Sequence, residues 1–367
     1  AYPLVPTVTV AKTITINGDL NIQGGSFGWF GNGIIAQNVV VNGNVSVCTT
    51  CALDGTWGGA ANQSLTIGGS LTNDGNGLTN GSSTTARVNL SNVPTTFNGS
   101  TTASITNTVG TPVTIIGTVI VNKGTSQATQ LNCNIAGTLT TPADNWLTLQ
   151  NGTFMYQRPN PSANFTISTS TNITIPSTAG LYINYTNGNN INVLLSNSSA
   201  DASDLLLSGK LTVVSGNVYV GPVLATAFNN DIEYSGNSAA IQVDGGNLFV
   251  NGQIRRPIGN INGSLNYSQT GGVVKINGNS SAAGLAAAQT RAKLEVVNAG
   301  SQFNMSGSGT ITIVRGSGTT FGDLYIRPAS STVTGGTIIF TNAVPNSLQN
   351  YSMDANTPLN NLTVTAG

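Results

Sequence analysis

The 367-residue chain carries 12 basic and 12 acidic side chains, 7% charged residues in all, and no histidine, where about 25% charged residues is ordinary. Such sparse, balanced charge excludes nucleic-acid binding, which needs clustered cations; the closest cation pair is Arg255-Arg256. No run approaches ~18 apolar residues, which excludes a membrane-spanning helix, and the abundance of Val, Ile and Thr in short alternating runs argues against disorder.

Taken in chain order, the sequence opens AYPLVP, and Ala1 would suit a residue exposed by signal cleavage. INGDLNIQGG (16–25) then introduces a step that returns as VNGNVSV (41–47), IGGSLTN (67–73), IIGTVIV (115–121), IAGTLTT (135–141), LSGKLTV (207–213), VNGQI (250–254), INGSLNY (261–267) and TGGTIIF (334–340). Each flank alternates apolar and polar residues, the mark of a strand with one buried face. Gly and Asn at the step tolerate the left-handed backbone that a sharp corner needs. Val41 lies 25 residues after Ile16 and Ile67 lies 26 after Val41. A repeat of that length points to a solenoid, propeller or array.

These features predict an all-β fold, a right-handed parallel β-helix with coils of about 25 residues and irregular loop insertions. The alternative is a pair of β-sandwiches. Ile14, Ile16, Leu20 and Ile22 would face inward in an early coil, with Val39, Val41, Val45 and Val47 stacked above them. Residues 1–367 would form one elongated β-helix, a segment of a longer chain, with 78–112 and 155–204 as irregular coils or long loops. Asn at recurrent corners would stack into ladders. SAAGLAAAQTRAK (281–293) is the one candidate helical turn, and the closing NNLTVTAG reads as the start of another coil.

Several local features invite a chemical reading. Phe27, Trp29 and Phe30 lie between glycines in GGSFGWFGNG, either as a plug on the first coil or as a contact for sugar rings or a partner. Cys48 and Cys51 in VCTTCAL suit a loop disulfide or two buried thiols, while Cys133 stands alone. With no His and one further Cys, a zinc site is excluded. Asn73-Asp74-Gly75-Asn76-Gly77 is an ordinary turn or a weak structural calcium loop. Tyr182 and Tyr185 would form a polar aromatic strip able to touch carbohydrate or a partner. Asp231 and Glu233 sit two apart on one strand face and are the best acidic pair, read as an exposed polar face in preference to a glycosidase pair. Without His the usual general base is missing, so no catalytic residue, cofactor-binding residue or metal ligand is assigned, and the chain reads as a non-enzyme.

The recurrent N-G-x-φ-x-φ steps, together with VDGGNLFVNGQIRRPIGNINGSLNYSQTGGVVKINGN (243–279), resemble the very large secreted surface proteins of Bacteroidota, including gliding-motility adhesins of the SprB type. That resemblance implies export by the type IX secretion system, a C-terminal sorting domain, and a place on the outer cell surface. It further implies secretion or outer-membrane anchoring machinery as partners, with surface glycans or a substratum as contacts. The expected function is an extracellular structural or adhesive segment. The alternatives are a polysaccharide-binding or polysaccharide-cleaving β-helix protein, or a filament or fibre subunit.

Overall fold

A computed structural model describes residues 10–28, 36–55, 63–75, 79–80, 83–84, 88–110, 112–159, 164–185, 192–197, 203–223, 229–278, 291–314, 322–342 and 350–365. Among them the chain is all strand and turn, with no helix, and the strands stack in parallel as a β-solenoid. The one antiparallel pair among the described strands joins Thr79–Asn80 to Ser83–Thr84. Most of the segment 281–293 lies outside the described residues, and so do Trp29 and Phe30. The chain divides into two compact units, Ala1–Ser162 and Ala163–Gly367.

In the first unit each full turn contributes three strands. One ladder runs through Lys12–Ile16, Gln37–Val41, Gln63–Ile67, Thr95–Phe97 and Val119–Asn122. A second runs through Leu20–Ile22, Val45–Val47, Leu71–Asn73, Ala103–Thr106 and Gln130–Asn134. The third joins Ser26–Gly28, Ala52–Asp54, Val88–Leu90, Val113–Ile116 and Thr138–Thr140. The expected inward residues meet in register: Ile14 opposes Val39, Ile16 opposes Val41, Leu20 opposes Val45 and Ile22 opposes Val47. Val41, Val45 and Val47 are buried, and Leu65, Ile67 and Leu71 continue the columns. Ile14, on the first described strand, remains 56% exposed.

The tract 78–112 looks irregular because Thr, Ser and Asn dominate it, yet from Val88 onward it supplies three strands in register with their neighbours. Threonine is a good strand residue on a half-solvated face, and Val88, Leu90, Phe97, Ala103 and Ile105 still occupy the inward positions.

The second unit repeats the plan. Ile173–Ile175, Leu205–Leu207, Ile232–Tyr234 and Ile254–Arg255 form one ladder. Ala179–Asn184, Lys210–Ser215, Ala239–Val243 and Leu265–Gln269 form the next. An eight-stranded sheet from Phe165–Thr166 to Asn361–Val364 makes the third face. Its inward columns are aliphatic: Val193, Val218, Leu248, Val274, Ile311 and Ile338 stack in register, all 2% exposed or less. Each such side chain contributes about 1.5–3 kcal/mol on leaving water, and every turn supplies several.

Corners explain the glycine steps. At Gly43 an added methyl would collide with the Asp19 carboxylate and the Gly18 carbonyl of the turn beneath. Gly272 combines a φ of +65° with a carbonyl, that of Gly246, lying where a side chain would begin. The glycine steps at these positions, Asn42-Gly43 and Gly271-Gly272, therefore turn corners between faces and do not close hairpins.

Candidate functional site

The corner that precedes each strand of the Leu205–Leu207 ladder carries an oxygen-bearing side chain. At the first three of these corners its role is local: the side chain accepts the backbone N–H of the equivalent residue one turn later. Asp204 N donates to Asn172 Oδ1 at 2.8 Å, Asp231 N to Asp204 Oδ1 at 2.8 Å, and Gln253 N to Asp231 Oδ1 at 2.5 Å. The first unit uses the same device, with Asn44 N on Asp19 Oδ1 (2.7 Å), Ser70 N on Asn44 Oδ1 (2.8 Å) and Ser104 N on Ser70 Oγ (3.0 Å). Buried backbone donors need such partners, and Asn, Asp and Ser all supply them.

Acids at two successive rungs create the only grouping among the described residues that could hold a metal ion. Asp204, Asp231 and Glu233 bring carboxylate oxygens within 4.8 Å of one another. Glu233 joins because residues two apart on a strand share a face. Arg255, opposite Glu233 in the next turn, closes the group. Its Nε and Nη2 donate to Asp231 Oδ2 at 3.0 and 2.6 Å, and its Nη1 reaches Glu233 Oε1 at 2.7 Å. Asp231 is wholly buried and Arg255 nearly so.

Burial, then repulsion from Asp231, pushes the Asp204 carboxyl up to about 7. Burial likewise raises Asp231, against the pull of Arg255. For Arg255 burial alone would lower the pKa, and the attraction of Asp231 and Glu233 outweighs it, leaving the guanidinium above its ordinary value. A second buried network lies one turn on. Arg256 Nε meets Glu295 Oε2 at 3.1 Å, and Arg291 Nη1 lies 3.9 Å from Glu295 Oε1.

Chemically, the first cluster is occupied by its own members. Both Asp231 oxygens already accept protein hydrogen bonds, and Arg255 supplies the cation that such a trio would otherwise recruit. Asp231 is thus not part of an exposed polar face, as its sequence context suggests; it is a corner residue buried beneath Arg255.

The other sequence-predicted positions are dispersed. Cys48 and Cys51 form a disulfide, and Cys133 is a buried free thiol that burial pushes up to about 12. Phe27 is half-buried. The expected strip of Tyr182 and Tyr185 does not form: an odd spacing on a strand sends the two to opposite faces. Tyr182 is half-buried on the outside, whereas Tyr185 is buried, with its hydroxyl donating to Asn217 O and accepting from Asn217 N. Tyr185 is therefore not a carbohydrate contact. In the calcium-like turn, Asp74 accepts Thr108 N and Thr108 Oγ1, and Asn73 donates to Thr114 Oγ1; these groups tie turns together. Asn76 and Gly77 lie outside the described residues.

Sequence reasoning missed Asp204, hidden in the polar tract SNSSADASD. The signal available was its position immediately before an apolar strand, one coil length ahead of Asp231. Comparison with protein-family models, curated proteins and solved structures finds no match for this chain.

Proposed function

We propose that the chain is a non-catalytic structural and adhesive β-solenoid segment of an extracellular cell-surface protein, of the type IX-exported adhesin kind that its repeats resemble. The observation that carries this reading is where the chemistry-bearing side chains go. Asp204, Asp231, Glu233 and Arg255 pair with one another and with the backbone of the next turn, so their chemistry is spent on the fold. Outward positions such as Tyr182, Gln242, Ser268, Asn304 and Thr332 hold hydroxyls and amides without charge. Positions of that kind suit weak contacts multiplied by repetition. The Cys48–Cys51 disulfide agrees with an oxidising compartment.

A second reading, polysaccharide cleavage, rests on one observation. The carboxylate oxygens of Asp204, Asp231 and Glu233 lie within 4.8 Å of one another, near the spacing of about 5–5.5 Å used by retaining glycosidases. One experiment separates the two. Beads coated with the purified chain are tested for retention on glycan-coated and bare surfaces, and the soluble chain is assayed on the same glycans. Retention without cleavage supports the adhesive segment. Cleavage that disappears in Asp204→Asn would overturn it in favour of the enzyme, and neither retention nor cleavage would remove the adhesive role.

A further inference from the structure

The Asn-Gly step that builds the corners is also the dipeptide most open to self-modification, because the glycine amide nitrogen is unhindered. In that reaction the Gly nitrogen attacks Cγ of the preceding Asn and a carbon–nitrogen bond forms. The Gly N–H proton passes to Nδ2, the Cγ–Nδ2 bond breaks and ammonia leaves, producing a succinimide. Water then opens the ring to aspartate or isoaspartate. The attack needs a free side-chain amide and a backbone able to bring nitrogen and carbon together.

The structure sorts these steps into two groups. Asn42 donates to Asn17 Oδ1 at 3.2 Å, and its Gly43 N–H is taken by Gly18 O. Asn251 donates to Pro222 O at 3.0 Å, with Gly252 N–H on Asn230 O. Asn277 donates to Asn251 Oδ1 at 3.1 Å, with Gly278 N–H on Gly252 O. Asn151 donates to Asn122 Oδ1 at 2.7 Å, and Gly152 lies inside the strand Leu147–Tyr156. Asn17, which accepts from Asn42, stands between the groups with one bond. By contrast, the side chains of Asn98 and Asn262 make no hydrogen bond among the described residues, and neither Gly99 nor Gly263 donates a turn-to-turn backbone bond. Gly99 and Asn262 are exposed.

We propose that Asn98 and Asn262 are self-modification sites, converted through a succinimide to aspartate or isoaspartate while the laddered Asn-Gly corners are protected by the fold. Asn98 carries the larger consequence. Lys123 is wholly buried and its ammonium donates only to backbone carbonyls, to Gly68 O at 2.8 Å and to Asn98 O. Conversion places a carboxylate on the very residue whose carbonyl already receives that ammonium.

The test is peptide mapping by mass spectrometry after incubation of the native chain at mildly alkaline pH, beside the same chain unfolded in urea. Opening a side-chain and a backbone hydrogen bond slows the attack, so in the folded chain Asn98 and Asn262 should convert at least about tenfold faster than Asn42, Asn151, Asn251 and Asn277. In urea that gap should vanish. Asn98→Gln and Asn262→Gln should remove the fast phase. Equal conversion of all six steps in the folded chain would overturn the proposal, as would intact Asn98 and Asn262 alongside a reacting urea control. Neither outcome depends on whether the Gln variants fold.

Discussion

Arg255 is the residue on which the candidate site turns. Removing one partner of a buried ion pair leaves an uncompensated charge, which costs about 3–5 kcal/mol. Arg255→Met should lower the stability of the second unit by about that much in urea unfolding, and adding Asp231→Asn should recover part of the loss. A cost below ~1 kcal/mol would mean that the guanidinium is not the counter-charge described here. Asp204 gives a pH dependence of uncommon sign. Its carboxyl lies at about 7 in the folded chain against an ordinary 3.8. The folded state therefore holds a proton that the unfolded state releases between those values. The stabilisation from this group is complete below about 4 and is lost as pH rises through 7. The melting temperature of the second unit should fall between pH 5 and pH 8, and Asp204→Asn should flatten the profile; a wild-type chain more stable at pH 8 would contradict the assignment. Asn44 and Asn172, which both head N-x-S/T sequons, use their side chains to accept the next turn's N–H, so those two sequons are read as structure.

At the scale of the element, the turn after Val45–Val47 is clipped by Cys48–Cys51, which encloses four residues. Chain-entropy arguments give so short a ring about 2 kcal/mol. Reduction, or the double change Cys48→Ser with Cys51→Ser, should lower the stability of the first unit by up to about 2 kcal/mol. Denaturant unfolding with and without reductant measures it, and an unchanged midpoint would show that the corner is held by the neighbouring turns alone. The strands themselves were legible from alternation. Val39 and Val41, or Leu248 and Val250, announce an inward face in any local window. The tract 78–112 was not legible, because Thr and Ser satisfy an outward strand position as well as they satisfy a loop.

Across the whole molecule, stability depends little on salt. Of the five ion pairs seen among the described residues, Arg327–Asp354 alone is well exposed, at 52% and 42%. Salt screens exposed pairs strongly and buried ones weakly. Raising sodium chloride from about 0.01 M to about 1 M, which shortens the Debye length from ~30 Å to ~3 Å, should hardly move the unfolding midpoint. A large shift would point to charge interactions that the fold does not display. What resists unfolding is the stack of apolar columns, since a turn of a solenoid cannot bury its own face and relies on the turns above and below.

The residues themselves determined which side chains point inward, and they marked glycine and asparagine as the corners, because a two-residue alternation and a tolerant backbone are properties of short stretches of chain. Which corners meet was decided only by the tertiary structure. The rungs from Asn172 to Asp204 to Asp231 to Gln253 are spaced 32, 27 and 22 residues apart. No single period predicts that Asp204 lies beneath Asp231, or that Arg255 lies across from both Asp231 and Glu233. Loops of unequal length are absorbed outside the ladders, so the contact between turns is set by the stacking of cores and not by distance along the chain.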